Sequence, residues 1–309
     1  MNHNMIESFS IIIPTHNRCS KLNALLKSIE EHKVIQVKEI IIIDDSGVHC
    51  SIETTGKIRI IHVKISFRVF ISHAKNIGAK LASSDFLFFI DDDNIVGEET
   101  FQPVIDAFSS QNNVGAVMPS AMYLANPELV WVYATPFKKG KWEHDLIGRN
   151  NLRNVQLENR LYDVDALPNS FLIERKALLS VNGFSADLKV NSSGDLALKL
   201  KKAGFRVIAT SYAKIYHDVP LPGKFGYWSV HGRSDPERVK LEISNWFSYM
   251  HEVHSNEMFF VWKAILHSMK FILPNLLTYI LLGGKNRKKL IENLTLGLFD
   301  SVRKPEFKK

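Results

Sequence analysis

The stretch from Asp85 to Ile95 constrains the fold of this chain most, because an uninterrupted apolar run ends in three consecutive acids. The five apolar residues Phe86–Ile90 predict a strand that is buried on both faces of a sheet. In open α/β sheets, ligands bind at the carboxyl ends of the strands, and the acidic triplet Asp91–Asp93 follows directly. A divalent cation shared with a phosphate would offset the repulsion between these carboxylates, since hard oxygen ligands suit Mg²⁺ and Mn²⁺. On this stretch alone, a solvated acidic turn or a helix cap near Glu98 remains open.

The residues before this stretch alternate between strand and helix patterns. Short apolar runs predict strands at 10–14, 39–43 and 58–63. Apolar residues at helical spacing predict helices at 21–31 and 71–82. Each strand ends in polar residues, and this alternation is typical of an α/β fold with a largely parallel sheet flanked by helices.

Four motifs in the first hundred residues resemble the successive motifs of the family 2 glycosyltransferases. They are Ile13-Pro-Thr-His-Asn-Arg18, Ile43-Asp-Asp-Ser-Gly47, Ala74-Lys-Asn-Ile-Gly78 and Phe89-Ile-Asp-Asp-Asp-Asn94. Looser similarity continues through 169–175 and 194–206 to His217, so the resemblance covers about residues 8 to 218. It implies the nucleotide-binding GT-A fold and an inverting transfer of a sugar from a nucleotide-diphospho-sugar to a hydroxyl group.

Such a transfer needs a cation for the departing diphosphate and a base for the acceptor hydroxyl. The resemblance implies Mn²⁺ or Mg²⁺ as cofactor and Asp93 as its main ligand. Asp91 and Asp92 would support the metal and hold the ribose or the sugar. His217 would be a further metal ligand or a phosphate contact, although a single histidine at a strand end is also compatible with a structural role.

The same resemblance implies that the nucleotide lies against the loops after the first two strands. Asp44 would accept a hydrogen bond from a base N–H, and Arg18 would reach a phosphate. Asp and Asn are also ordinary turn residues, so turn chemistry remains an alternative. The predicted nucleotide-sugar contacts outside the acidic triplet are Pro14, Thr15, Asn17, Arg18, Asp44, Asp45 and Asn76.

Asp195 is the candidate general base, at the predicted start of a helix where an N-cap acid would also be ordinary. Many relatives have Glu-Asp here, whereas this chain has Gly194 before Asp195. Asp187 is the second candidate for the base. Asp187 and Asn169 are also predicted on the acceptor side.

We predict a catalytic domain at residues 1–223 and an appendage at residues 224–309. The appendage has 14 Lys and Arg against 8 Asp and Glu. It contains an aromatic loop at 225–235, an apolar stretch at 258–282 and a basic cluster from Lys285. Its longest charge-free piece is too short to span a bilayer. Apolar helices beside basic residues suit a peripheral contact with an anionic membrane, whereas helices packed on the catalytic domain are the alternative. The charge pattern does not favour nucleic acid.

The two cysteines, Cys19 and Cys50, have no metal-site spacing and do not suggest a disulfide framework. The amino terminus shows no leader-like pattern, which favours the cytoplasm and here the inner face of the cell membrane.

The expected activity is a metal-dependent glycosyl transfer in cell-surface glycan synthesis, with a glycan or lipid-linked acceptor and a UDP- or dTDP-sugar as first expectation. A sugar nucleotidyltransferase is one alternative, but it needs a glycine-rich phosphate loop that residues 14–18 lack. A catalytically silent relative that acts as a membrane scaffold is the other alternative, and Gly194 is its only support.

Overall fold

A computed structural model of the protein describes residues 6–32, 36–138, 143–188, 192–222, 236–254, 276–277, 280–281 and 286–303. Contacts divide the chain into two compact units, one made of Met1–Asp187 with Ser192–Leu221 and the other of Leu188–Asn191 with Pro222–Lys309. The predicted aromatic loop, most of the apolar stretch at 258–282 and Lys285 lie outside the described residues.

The first unit alternates strands and helices for most of its length. The strands are β1 (Phe9–Thr15), β2 (Val37–Asp44), β3 (Arg59–Lys64), β4 (Phe86–Ile90), β5 (Asn94–Val96), β6 (Val114–Tyr123), β7 (Asn126–Val132), β8 (Leu161–Asp163), β9 (Ser170–Glu174) and β10 (Arg206–His217). The helices are α1 (Cys19–Glu31), α2 (Phe70–Leu81), α3 (Gln102–Ser110), α4 (Arg175–Ser180) and α5 (Ser192–Lys202). The strands and helices predicted before residue 95 are all present.

The strands form one sheet in the order β3-β2-β1-β4-β9-β6-β10-β5, with β7 paired to β6 and β8 paired to β10. The first four strands are parallel, and β6 and β10 are parallel to each other. The predicted largely parallel α/β sheet is therefore confirmed. The sheet is mixed because β9 runs antiparallel to both β4 and β6.

The centre of the sheet explains why the chain carries three uninterrupted apolar runs. Ile11–Ile13, Ile40–Ile43 and Leu87–Ile90 are all fully or almost fully buried. Strands covered on both faces need apolar residues at every position rather than at alternate ones. Because β1 pairs in parallel with β2 and β4, the polar residues that follow these strands meet at one edge of the sheet.

The backbone after the acidic triplet does not begin a helix near Glu98, so the triplet is not a helix cap. Residues 94–96 form the short strand β5, and helix α3 begins only at Gln102. Strand β5 pairs with the end of β10, so that Asn94 stands opposite His217. This pairing brings the end of β10 to the acidic triplet.

Cys19 and Cys50 form a disulfide, although their sequence pattern did not suggest a disulfide framework. Cys19 is the first residue of α1, and Cys50 lies in the loop after β2. The parallel pairing of β1 and β2 places the segments that follow these strands side by side. A separation of 31 residues in the sequence gave no indication of this proximity.

We expect reduction of this disulfide to lower the free energy of unfolding by about 3.7 kcal/mol, because a closed loop of 31 residues restricts the unfolded chain. Urea denaturation with and without a phosphine reductant measures the difference. A variant with both Cys19→Ser and Cys50→Ser should have the lower stability and should not respond to the reductant. Two titratable thiols in the native, unreduced protein would contradict the prediction.

The second unit contains the helices α6 (Pro236–His254) and α7 (Arg287–Arg303). Ile243 of α6 and Leu294 of α7 are buried. The helices approach closely at Gly297, where a side chain would lie 2.9 Å from the carbonyl oxygen of Lys240. Lys240 also pairs with Asp300 across the helices at 2.8 Å. None of the helices in the described ranges combines the length and apolar composition that a bilayer crossing requires.

Candidate active site

The acidic triplet lies directly after β4, at the carboxyl edge of the sheet, and each of its carboxylates has a cationic neighbour. Lys75 of α2 places its ammonium nitrogen 2.9 Å from Oδ1 of Asp91. The contact is an ion pair whose angles fall outside those of a hydrogen bond. The side chain of Lys75 is only 4 % exposed, so its charge is almost completely removed from water. The backbone N–H of Asp91 donates to the carbonyl oxygen of Asn169 at 3.0 Å.

Asp92 is the most buried acid of the triplet and contacts the loop after β1. Its carboxylate accepts hydrogen bonds from the Thr15 hydroxyl at 2.7 Å and from the Arg18 guanidinium at 3.1 Å. Burial raises the pKa of Asp92 to about 6, and the negative charges of Asp93 and Asp91 add to this effect. The Thr15 hydroxyl and the charge of Arg18 act in the opposite direction but do not compensate for the burial.

The pKa of Asp93 is shifted in the opposite direction to that of Asp92. Burial alone would raise its pKa, but the hydrogen bond and charge of His217, together with the charges of Arg18 and Lys21, lower the pKa to about 2. Arg18 donates to Asp93 Oδ2 at 2.8 Å, and Nε2 of His217 lies 3.4 Å from Oδ1. The triplet thus contains one carboxylate that is stabilised in its ionised form, beside an imidazole.

Asp93 and His217 form the part of the site that fits a divalent cation. The Nδ1 atom of His217 is buried and has no hydrogen-bond partner in the described part of the chain. Within the described residues, no group of three or more His, Cys, Asp or Glu side chains is placed to hold a metal ion. Two protein ligands suit Mg²⁺ or Mn²⁺ when phosphate oxygens and water complete the coordination. Lys75 engages Oδ1 of Asp91 and Arg18 engages Oδ2 of Asp93, so a cation at either carboxylate would share it with a basic side chain. Asp91 stays a predicted ligand, and Asp93 is the one of the two that lies beside His217.

Trp131 and Arg149 extend the site away from the triplet, and neither was among the residues predicted from the sequence. The Trp131 ring meets the His217 ring edge-on, with 4.7 Å between the centroids. The guanidinium carbon of Arg149 lies 4.3 Å from the centre of the Trp131 ring. Both residues belong to a region between β6 and β9 that carries no recognisable motif, so only the fold brings them to the site.

Asp44 ends β2 and is completely buried. Its Oδ1 accepts the backbone N–H of Ser46 at 2.8 Å, and its Oδ2 lies 3.0 Å from Lys64 and 3.2 Å from His62. Burial alone would raise the pKa of Asp44, yet these hydrogen bonds lower it. Both carboxylate oxygens are in use, so a base N–H would have to compete with Lys64. The two-residue spacing of His62 and Lys64 on β3 was the available signal for this cluster.

Asp45 and Asn17 hold neighbouring loops in place. Asp45 pairs with Nδ1 of His16 at 2.8 Å and accepts the N–H groups of Val69 and Phe70 at the start of α2. Asn17 has a φ of 55°, and its backbone N–H donates to the Ser46 hydroxyl at 2.7 Å. Both residues therefore join the loop after β1 to the segments that follow β2.

The remaining predicted contacts around the first loop are Pro14, Thr15 and Arg18. Pro14 is a buried residue of β1. Thr15 and Arg18 are engaged by the acidic triplet, so Arg18 is bound to carboxylates here rather than presented alone to a phosphate.

Asp195 lies in the first turn of α5 and is 4 % exposed. Its Oδ2 accepts the Ser185 hydroxyl at 2.7 Å and pairs with Lys199 at 3.0 Å. Helix α5 already includes Ser192, so Asp195 is inside the helix rather than its N-cap. Asp187 is exposed in the turn that follows Phe184.

Asn169 contacts the acidic triplet, whereas Asn76 contacts the turn at Phe184. Asn169 has a φ of 64°, and its buried side-chain nitrogen has no hydrogen-bond partner among the residues described. Both polar atoms of the Asn76 side chain are bound to the backbone of Phe184, at 2.8 and 3.0 Å. We therefore assign Asn76 no direct contact with the nucleotide.

Comparisons with known proteins agree with this architecture. Residues 10–169, just over half of the chain, match the family described as Glycosyl transferase family 2. An uncharacterized glycosyltransferase of Haemophilus influenzae is 22 % identical over 192 residues, which are 62 % of this chain and 61 % of that protein. The minor teichoic acid biosynthesis protein GgaB of Bacillus subtilis is 23 % identical over 77 % of this chain and 23 % of its own length. The chain thus spans less than two thirds of the length of these relatives.

Two solved structures share the fold. GalNAc-T7 with UDP, GalNAc and Mn²⁺ has a TM-score of 0.56 at 14 % identity, over 95 % of this chain and 55 % of that chain. The mannosyltransferase PcManGT of Pyrobaculum calidifontis, in complex with GDP-Man and Mn²⁺, has a TM-score of 0.50 at 15 % identity, over 96 % and 87 % of the two chains. The sheet and its helices have the GT-A fold that the sequence motifs implied. The chain therefore belongs to glycosyl transferase family 2.

Proposed function

We propose that the protein transfers a sugar, with inversion and with a divalent cation, from a nucleotide-diphospho-sugar to a hydroxyl group of a glycan or lipid-linked acceptor. The observation that carries the proposal is the pairing of Asp93 with His217, 3.4 Å apart, where β4 and β10 end at the same edge of the sheet. These two side chains would hold Mn²⁺ or Mg²⁺ together with the diphosphate.

Different residues of the site stabilise the leaving group and remove the proton from the nucleophile. When bound, the cation neutralises the charge that develops on the departing diphosphate. Asp93 and His217 orient the diphosphate end of the donor, and Arg18 places a guanidinium beside it. Oδ1 or Oδ2 of Asp195 accepts the proton of the acceptor hydroxyl as that oxygen bonds to the anomeric carbon. Asp91 and Asp92 hold the ribose or the sugar.

The names of the similar proteins guide the choice of ligands. The two structural neighbours bind UDP with GalNAc and GDP-Man, both with Mn²⁺. One sequence relative belongs to minor teichoic acid biosynthesis, which supports an acceptor in cell-surface glycan synthesis. We infer a UDP- or dTDP-sugar donor first, with GDP-sugars as the next class to test.

Nucleoside diphosphates with Mn²⁺ should therefore raise the melting temperature of the protein. A ligand that binds only the native state adds about 2.7 kcal/mol of stability at a hundredfold excess over its Kd. A thermal-shift series with UDP, dTDP, GDP and ADP, each with Mn²⁺ and with EDTA, measures the effect. The largest shift identifies the base, and a loss of the shift in EDTA supports the cation. If none of the four diphosphates raised the melting temperature, the proposal would be contradicted.

We also propose a peripheral membrane contact through an apolar and basic surface of the second unit, defined by Leu277, Ile280, Leu281 and the basic residues Arg287–Lys289. The three apolar side chains are 46 to 66 % exposed and have the spacing of one helical face. All three basic residues are exposed. This chemistry suits the interface of an anionic leaflet, at the inner face of the cell membrane.

Replacing Arg287, Lys288 and Lys289 with glutamine should weaken binding to vesicles that contain phosphatidylglycerol about a hundredfold, because each basic residue contributes about 1 kcal/mol near such a surface. Co-sedimentation with vesicles measures the partition coefficient. The matched control replaces three exposed lysines of the first unit, Lys57, Lys80 and Lys176, with glutamine. Equal weakening in both variants would contradict a defined membrane surface.

A further inference from the structure

Helix α2 carries two adjacent residues that reach two different parts of the site. The first is Lys75, whose ammonium nitrogen is 2.9 Å from Asp91. It also lies 5.9 Å from the centres of the Phe171 and Phe184 rings. A charge buried in such surroundings needs an ionic partner to offset its desolvation. Lys75 and Asp91 therefore fix each other.

The second residue is Asn76, which binds the backbone of Phe184 through both polar atoms of its side chain. Its Nδ2 donates to the Phe184 carbonyl oxygen at 2.8 Å, and its Oδ1 accepts the Phe184 N–H at 3.0 Å. The preceding residue, Gly183, has a φ of 67°, and a Cβ there would stand 2.6 Å from Oδ1 of Asn76. The turn thus needs glycine both for its backbone conformation and for the approach of Asn76.

The turn that Asn76 holds continues directly into the partners of the candidate base. Ser185 donates to Oδ2 of Asp195 at 2.7 Å. Lys199 donates to the Ser185 hydroxyl at 2.6 Å and lies 3.0 Å from the same carboxylate oxygen. A shift of the turn at 183–185 would therefore move the hydrogen-bond partner of Asp195.

We propose that Lys75 and Asn76 are positioning residues through which α2 aligns the donor carboxylates with the base. Lys75 sets the orientation of Asp91, and Asn76 sets the turn that orients Asp195. The proposal rests on the proposed function, because it assigns Asp91 to the donor and Asp195 to the acceptor. It gives a role to the Ala74–Gly78 motif that requires no contact with a ligand.

The two residues should affect different kinetic constants. Asn76→Ala should lower kcat at least tenfold while leaving the KM of the donor and the Kd of the nucleoside diphosphate with Mn²⁺ within twofold. Lys75→Met should raise both the KM of the donor and that Kd at least tenfold. The matched control is Lys80→Met on the exposed side of the same helix, and it should leave all three constants unchanged.

A measurement without substrate separately tests the contact between Asn76 and the turn at Phe184. Hydrogen exchange of the Phe184 amide should accelerate at least tenfold in Asn76→Ala, because that N–H loses its acceptor. Should the alanine variant not fold, Asn76→Asp keeps the size and the acceptor but loses the donor to the Phe184 carbonyl. The aspartate variant should show the same fall in kcat.

The outcomes separate the inference from the function on which it rests. If the wild-type protein binds nucleoside diphosphate and transfers sugar, but the Lys75 and Asn76 variants match Lys80→Met, the inference is wrong and the function stands. Equal proportional changes in kcat and KM in both variants would also overturn it, since they indicate a general loss of structure. If the wild-type protein neither binds any nucleoside diphosphate nor transfers sugar, the proposed function fails and the inference falls with it.

Discussion

Asp93→Asn is expected to lower kcat/KM for sugar transfer by at least about a thousandfold and to abolish the effect of Mn²⁺ on nucleoside diphosphate binding. A metal ion that acts as a Lewis acid contributes several kcal/mol, and each 1.36 kcal/mol corresponds to about a factor of ten in rate. Asp93 is the carboxylate that faces His217, whereas Asp91 is engaged by Lys75. Initial rates with the donor and calorimetric titrations of the diphosphate, with Mn²⁺ and with EDTA, measure both effects.

The matched control for this substitution is Asp85→Asn, at the other end of the same strand. Asp85 is exposed and precedes β4, so the chemical change is the same at a position away from the site. Its kinetic constants should remain within twofold of the wild-type values. Full sugar transfer by Asp93→Asn with an unchanged Mn²⁺ dependence would show that the cation ligand lies elsewhere.

The sequence was sufficient to predict the edge of the sheet at which the site lies. Apolar runs such as Phe86–Ile90 are recognisable without tertiary information, because strands buried on both faces need no polar residues. The polar residues that follow these runs must then meet at the carboxyl edge of parallel strands. The order and spacing of the motifs indicated the family, and the resemblance to that family implied the helix that carries Asp195.

The partners of the carboxylates could not be predicted in the same way. The acidic triplet led us to expect a divalent cation that offsets its charges, but gave no sign that Lys75 and Arg18 also lie beside these carboxylates. Lys75 comes from a helix and Arg18 from a loop, and their reach depends on the packing of α2 and on the loop after β1. Side-chain pairing between distant segments leaves no periodic signal in a sequence.

The different contacts of Asp44 and Asp45 could not be predicted from the sequence either. Both look like nucleotide ligands in the sequence, yet Asp44 pairs with Lys64 of β3 and Asp45 accepts two N–H groups at the start of α2. The register of β2 against β3 places Lys64 opposite Asp44. Register is a property of the assembled sheet, so the roles of these acids depend on contacts that only the structure contains.

Asp195→Asn is expected to lower kcat about a thousandfold while the Kd of the nucleoside diphosphate with Mn²⁺ stays within twofold. General base catalysis contributes roughly 10² to 10⁴ in rate, and an amide cannot accept the proton of the acceptor hydroxyl. Asparagine has the size of aspartate and keeps an oxygen that accepts from the Ser185 hydroxyl, as Oδ2 does at 2.7 Å. Steady-state kinetics with saturating donor and acceptor, and calorimetry with the diphosphate, separate the two effects.

Asp187→Asn is the comparison that decides between the two candidate bases. Asp187 is exposed in the turn after Phe184, whereas Asp195 is buried between Ser185 and Lys199. If Asp195 is the base, Asp187→Asn keeps kcat within a few-fold of the wild-type value. A large fall in kcat for Asp187→Asn, with normal turnover in Asp195→Asn, would identify Asp187 in the turn as the base. Asp195 would then be a structural acid that pairs with Lys199 of the same helix and holds Ser185 beside α5.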